Sequence, residues 1–315
     1  MDFKTLYEEE LLGVYTSTVE NYWTEKGYYE RLNSNSLSSE SISGGLISLF
    51  KEKLGGFNAK IGLFYEKRMG LISDCVSLHK DELNIKPIGT IVKGSENLPL
   101  EGRIPTDTLN LIQKIANKMY ESKNVSKWEF QGYLQEIFDS FMICRAKKNI
   151  KTHFIRHKID CLMQVDSGIT YLVESKTKAQ EQDDNAKGCI KRILEGWILL
   201  ISEDIQNNKS VNWDTYRIII PMNELMDDSL DIAFYYPNFD IKYPEFGGVI
   251  SVETFYKYFF DVSYQDIISV EEKYGRNTDD LFIETCFYCI SHYIKSGNAD
   301  KKFVQDLTTK YIDFC

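Results

Sequence analysis

Asp160, Glu174 and Lys176 are the residues of this chain best suited to chemistry. They fall in one stretch, residues 160–176, that reads as two short strands around a tight turn. Alternate residues of a strand share a face, so Glu174 and Lys176 project together. Asp166-Ser167-Gly168 makes a good three-residue hairpin loop, a type I turn followed by Gly in the left-handed region. That loop sets Val165 opposite Ile169 and, counting back, Asp160 opposite Glu174. Directly opposed residues share a face, with β-carbons about 5 Å apart. Two carboxylates that close repel each other unless a cation joins them. Such a cluster suits a divalent metal and a phosphodiester. A two-residue loop would turn Asp160 to the other face, so the turn chemistry favours convergence.

The flanking elements must hold this hairpin in place. Ser126-Lys127-Trp128-Glu129 is a capping box, and Val125 with Phe130 fits a hydrophobic staple. The helix that follows carries an apolar stripe of Phe130, Leu134, Ile137, Phe138 and Phe141. Glu129 is taken up by the cap. Glu136 stands on the flank of the stripe without such a job; it is either a plain solvated acid or a fourth site group. After a polar loop over 180–185, Asp184 or Asn185 caps a helix to about residue 202. Ile190, Ile193, Leu194, Trp197 and Ile201 form its buried face, with Lys187 and Lys191 on the other side. Residues 216–221 make a continuous apolar run, as in a strand buried on both faces. This last strand should lie parallel to an earlier one through a helical crossover.

Elsewhere, residues 1–32 read as helix, 33–45 as a linker, 59–65 and 71–78 as strands, and 109–121 as helix. Residues 95–107, with Pro99 and Pro105, read as an irregular connection. Aromatics crowd 232–260, from Phe234, Tyr235 and Tyr236 to Phe255, Tyr256, Phe259 and Phe260. Core and interface packing outweighs base stacking there. Helices are expected over 279–296 and 300–314. At 315 residues and 43% apolar, the chain has material for a real core in one large or two modest domains. No secretory signal opens it, and its densest apolar stretch, near 197–201, is too short to span a bilayer. A soluble, cytoplasmic protein with no membrane association is expected. Seven cysteines without framework spacing read as buried thiols. Cys286, Cys289 and His292 recur every third residue, but within one expected helix, so packing outweighs zinc. The net charge of −10 argues against a protein that coats nucleic acid non-specifically. The distribution is less uniform: Arg145, Lys147, Lys148, Lys151, Arg156 and Lys158, with His153 and His157, lead without an acid into Asp160. This run is either a solvated loop or a phosphate-attracting rim.

A helix with Glu136, a strand with Asp160, a hairpin, a strand with Glu174-Ser175-Lys176, a helix and a strand follow one another over residues 125–222. That order resembles the PD-(D/E)xK nuclease superfamily of restriction-endonuclease-like enzymes. Ile159 stands where the family's motif often has Pro. The resemblance implies an α/β fold whose core is a helix, a mixed sheet with a central hairpin, a helix and a strand. Helical and small α+β additions would flank it on both sides, over 1–124 and over an aromatic-rich, mainly helical 223–315 packed on the core. It implies Mg²⁺, with Mn²⁺ able to substitute, held by Asp160, Glu174 and the main-chain carbonyl of Ser175. Lys176 would orient the attacking water or stabilise the pentavalent phosphate, and Glu136 would reach a second metal or a metal-bound water. Lys178 and Gln180 would contact phosphate. The expected activity is metal-dependent endonucleolytic hydrolysis of DNA in restriction or antiphage defence, as a homodimer or with a helicase or methyltransferase subunit. The Glu-Ser-Lys triplet also resembles the nuclease subunit of Hachiman-type defence systems, which works with a helicase. The competing function is a catalytically inactive nuclease-fold module that binds nucleic acid or a partner protein. The competing reading of the residues is a surface salt-bridge ladder. Against it, Leu162 and Leu172 make the charged face half-buried, where a charge cluster needs a reason.

Overall fold

The turn at Asp166-Ser167-Gly168 closes as its chemistry requires. Gly168 takes a φ of 82°, its N–H donates to the Val165 carbonyl at 2.8 Å, and the Val165 N–H donates to the Ile169 carbonyl at 3.1 Å. The strands it joins, β4 (Cys161–Val165) and β5 (Thr170–Val173), pair antiparallel with Cys161 opposite Val173 and Leu162 opposite Leu172. This is the register expected from the turn. The computed structural model describes residues 2–20, 44–94, 99–122, 125–175, 184–207, 210–222 and 247–295, with Lys302 and Gln305.

Among the described residues the hairpin sits at the centre of a five-stranded sheet of order β1-β4-β5-β6-β7. Here β1 is Gly89–Gly94, β6 is Tyr216–Met222 and β7 is Gly248–Ser251. On one side β1 runs antiparallel to β4, with an irregularity between Ile91 and Lys93. On the other, β6 lies parallel to β5, as expected of a helical crossover, and β7 parallel to β6. A separate ribbon pairs β2 (Pro99–Pro105) antiparallel with β3 (Thr152–Lys158). The protein is thus a mixed α/β structure. Its main sheet takes β1 and β7 from outside residues 125–222, the stretch expected to hold the whole core.

Two further expectations are corrected. Residues 59–65 and 71–78 are not strands; both lie within one helix, Gly44–Leu83. Buried Phe64, Arg68, Met69, Ile72, Cys75 and Val76 recur at three- and four-residue steps, the helical period, which short apolar runs disguise. Residues 95–107 are not wholly irregular, because they contain β2. Its two prolines stand at the strand ends, Pro99 opposite Lys158 and Pro105 opposite Thr152, where a missing donor is tolerated.

Among the described residues the helices run, in chain order, α1 (Phe3–Tyr15), α2 (Gly44–Leu83), α3 (Thr106–Ser122), α4 (Lys127–Arg145), α5 (Asp184–Gln206), α6 (Val252–Phe260) and α7 (Tyr264–Lys295). The capping box forms: the Ser126 side chain accepts from the Glu129 amide, and Glu129 accepts from the Ser126 amide. One face of the main sheet, with Leu162, Leu172, Ile218 and Ile220, packs with α3, α4 and α5 through Ile112, Phe130, Leu134, Ile137, Ile193, Leu194 and Trp197. The Trp197 Nε1–H donates to the Tyr216 carbonyl at 3.0 Å, which satisfies the only polar atom of that buried ring. Behind the other face, the Tyr171 ring meets Phe259 of α6 edge-on at 5.3 Å. Phe255, Tyr256, Phe259 and Phe260 are buried, so this part of the aromatic-rich stretch packs as expected; positions 234–246 lie outside the described residues. The hairpin is therefore buried on both faces, not half-buried.

The chain forms two compact units, Met1–Tyr7 with Tyr65–Ile267, and Glu8–Phe64 with Ile268–Cys315. The first contains both sheets. In the second, the described stretches 8–20, 44–64 and 268–295 are helical. There the Tyr15 ring packs on Tyr274 at 4.9 Å, and its hydroxyl bonds to Thr278 and accepts from Asn277, each at 3.1 Å. No helix among the described residues is long and apolar enough to cross a membrane. Cys75, Cys144 and Cys161 are buried thiols, while Cys189 and Cys286 are partly exposed.

Candidate active site

Asp160 and Glu174 stand at the open end of the hairpin, one residue beyond the last paired positions of β4 and β5. The main chain keeps them in register there. The Ser175 N–H donates to Asp160 Oδ2 at 2.6 Å, and the Glu174 N–H donates to the Ile219 carbonyl of β6 at 3.1 Å. Asp160 is partly exposed and Glu174 only 2% exposed. A carboxylate so deeply buried needs a counter-charge. Arg192 of α5 supplies one, with Nη2 at 2.6 Å from Glu174 Oε1. Burial pulls the Arg192 pKa down, but the charges of Glu174 and Cys189, the hydrogen bond to Glu174 and the charge of Asp160 push it up and prevail.

The Cys161 thiol registers the same field. Burial raises its pKa well above the ordinary value, and the carboxylates of Asp160, Glu66 and Glu174 raise it further. Glu66, on α2, is thus a third acid near the hairpin mouth. Its Oε2 is buried, makes no hydrogen bond among the described residues and lies 3.8 Å from the Lys158 ammonium. A second buried acid braces the group: Glu195 of α5 bonds His157 Nε2 of β3 at 2.6 Å and lies 3.7 Å from Lys191. This contact ties His157 of β3, three residues before Asp160, to the helix that carries Arg192.

The structure brings together Asp160, Glu174 and Ser175. It does not bring Glu136 to them. Glu136 is exposed on α4, where it adds to the pull of Tyr133 and Glu129 that raises the pKa of Lys118 on α3. Lys176, Lys178 and Gln180 lie outside the described residues. The basic run divides. Lys147, Lys148 and Lys151 are exposed beyond α4, whereas Arg156 pairs with Glu101 at 3.5 Å and Lys158 with Glu66 at 3.8 Å. A seven-residue strand spans about 20 Å, so β3 separates Lys151 from the Asp160 end by that distance. Only the Lys158 end of the run adjoins the acids.

Arg192 and Glu66 are the residues that sequence reasoning missed. Arg192 immediately precedes the buried Ile193, a boundary position where a cation can reach the sheet. Glu66 was hidden by reading its helix as a strand. Among the described residues no three side chains of His, Cys, Asp and Glu converge closely enough to hold a metal ion by themselves. Two carboxylates and a main-chain carbonyl still suit Mg²⁺, which takes one or two carboxylates and completes its shell with waters and substrate phosphate. Cys286, Cys289 and His292 share the single helix α7. No family model, curated protein or solved structure matches this chain.

Proposed function

We propose that this chain is a metal-dependent nuclease of the PD-(D/E)xK type that hydrolyses DNA phosphodiester bonds. The observation that carries the reading is the hairpin mouth, where Asp160 and buried Glu174 are held in register by the Ser175 amide. The order of elements supports it too: α2, β1, the hairpin β4–β5, α5 and β6 correspond to the helix, hairpin-centred sheet, helix and strand of that core. On this alignment α2, not α4, is the helix that leads into the sheet, which moves the helix acid from Glu136 to Glu66. The ribbon β2–β3 with α3 and α4 is then an insertion between β1 and β4.

Asp160, Glu174 and the Ser175 carbonyl would hold Mg²⁺ or Mn²⁺. The ion, when bound, supplies a Lewis acid for the phosphate and a water of lowered pKa. The Ser175 amide fixes the Asp160 rotamer before substrate arrives. The β6 carbonyl anchors the Glu174 backbone, and His157–Glu195 fixes the chain that leads into Asp160. Lys176 is proposed to orient the attacking water and to stabilise charge on the pentavalent phosphate. Restriction or antiphage defence, with a helicase, a methyltransferase or a second copy as partner, is the setting proposed for this chemistry.

Plasmid and single-stranded DNA incubated with Mg²⁺ or Mn²⁺ should be cut by the native chain. Cutting should be lost in Glu174→Ala and in Lys176→Ala. Undiminished cutting by both variants sinks the assignment. DNA retained in a gel shift but left whole under either metal would instead identify a binding module.

A further inference from the structure

Arg192 and a divalent ion have the same target. Its Nη2 takes Glu174 Oε1 at 2.6 Å, an oxygen that a metal at this hairpin mouth also needs. The guanidinium makes the pairing in its weaker form. An arginine–carboxylate pair is strongest as a two-pronged fork, but among the described residues Nη2 alone makes the bond here, and Nε is buried without a hydrogen-bond partner. The side chain is 41% exposed against 3% for Glu174. The cation therefore has a way out to solvent that the anion lacks.

We propose that Arg192 is a resident counter-cation: it neutralises Glu174 until a metal ion takes its place, and then turns outward to the substrate phosphate. This deepens the nuclease reading and rests on it. The physical logic is exchange. Glu174 cannot stand buried without a positive partner, so the chain provides one that a doubly charged ion displaces and that a phosphodiester can recapture. An arginine suits both ends of the exchange, because its planar donors match carboxylate and phosphate alike. The device also sets a threshold, since metal must compete with a tethered cation before the site is filled.

Isothermal titration of Mn²⁺ into the full chain, with thermal unfolding in EDTA and in metal, tests this. Arg192→Gln removes the charge and keeps a hydrogen-bonding side chain. In EDTA its Tm should fall by about 3 °C, while its Mn²⁺ affinity rises about tenfold. Arg192→Lys should stay near the native values in both. The opposed signs separate exchange from a merely structural role, which would lower stability and leave affinity alone or weaken it. Equal or weaker Mn²⁺ affinity in Arg192→Gln, with the native chain binding Mn²⁺, overturns the exchange and leaves the nuclease reading standing. Absence of Mn²⁺ binding by both chains overturns both. The native chain offers a check that does not depend on a folded variant. The Arg192 Nε–H resonance, assigned by its loss in Arg192→Lys, should move as Mn²⁺'s diamagnetic substitute Mg²⁺ is added. A resonance unmoved at saturating Mg²⁺ overturns the proposal.

Discussion

The Ser175 amide that donates to Asp160 Oδ2 at 2.6 Å makes the roles of that aspartate separable. In Asp160→Asn the amide oxygen can still accept the bond, so stability to urea should change by less than about 1 kcal/mol. The negative charge is gone, however, and with it a ligand for the proposed metal. Cutting should fall about a hundredfold or more, because the charge stabilisation a metal supplies is worth several kcal/mol. Near-native cutting by this variant removes Asp160 from the site. At this scale the sequence showed what lies close along the chain. That Asp160 lies opposite Glu174 followed from one turn, whereas the Ser175 amide bond to Asp160 did not. Glu66 and Arg192 did not, because each meets the group from a separate helix, and nothing in local spacing records such a meeting. Glu136 was misplaced for the same reason: its lack of a structural job was legible, its neighbour Lys118 was not.

The hairpin as an element depends on Gly168, held at a φ of 82° where a side chain is strained. Gly168→Ala should destabilise the protein by about 1 kcal/mol, read as a lower urea midpoint with an unchanged slope. A neutral outcome would show that another contact sets the register. Turn chemistry and strand alternation together made this element legible to the residue, and the capping box did the same for the start of α4. Around α2 the same kind of reasoning failed. Its short apolar runs fit a strand as well as a helix until the burial of Phe64, Arg68, Ile72 and Cys75 reveals the period. β2 escaped because two prolines argue against a strand, and they are harmless at the ends of a two-stranded ribbon. β1 and β7 escaped because their partners lie far away in sequence.

The molecule as a whole is acidic, with a net charge of −10, so its average field repels DNA. Any binding must come from a local patch and must weaken steeply with salt. Lys147, Lys148 and Lys151 are exposed lysines of the basic run beyond α4; Arg156 and Lys158, exposed as well, already have acids beside them. Changing the three lysines to Gln should flatten the plot of log affinity against log salt by about 2 to 3, measured by anisotropy on labelled DNA in a Glu174→Gln background. An unchanged slope assigns DNA to another surface. The two-unit division of the chain was not legible, because each unit is assembled from segments far apart in sequence. The order of strands in the sheet also has a consequence in time. β5 reaches β4 across a three-residue turn, whereas β1 reaches it only after β2, α3, α4 and β3 have been made and folded out of the way. Closing the longer loop costs more chain entropy. In every state with the hairpin formed and the insertion not yet packed, β4 therefore shows a bare edge of hydrogen-bonding groups, a template on which newly made chains pair with one another.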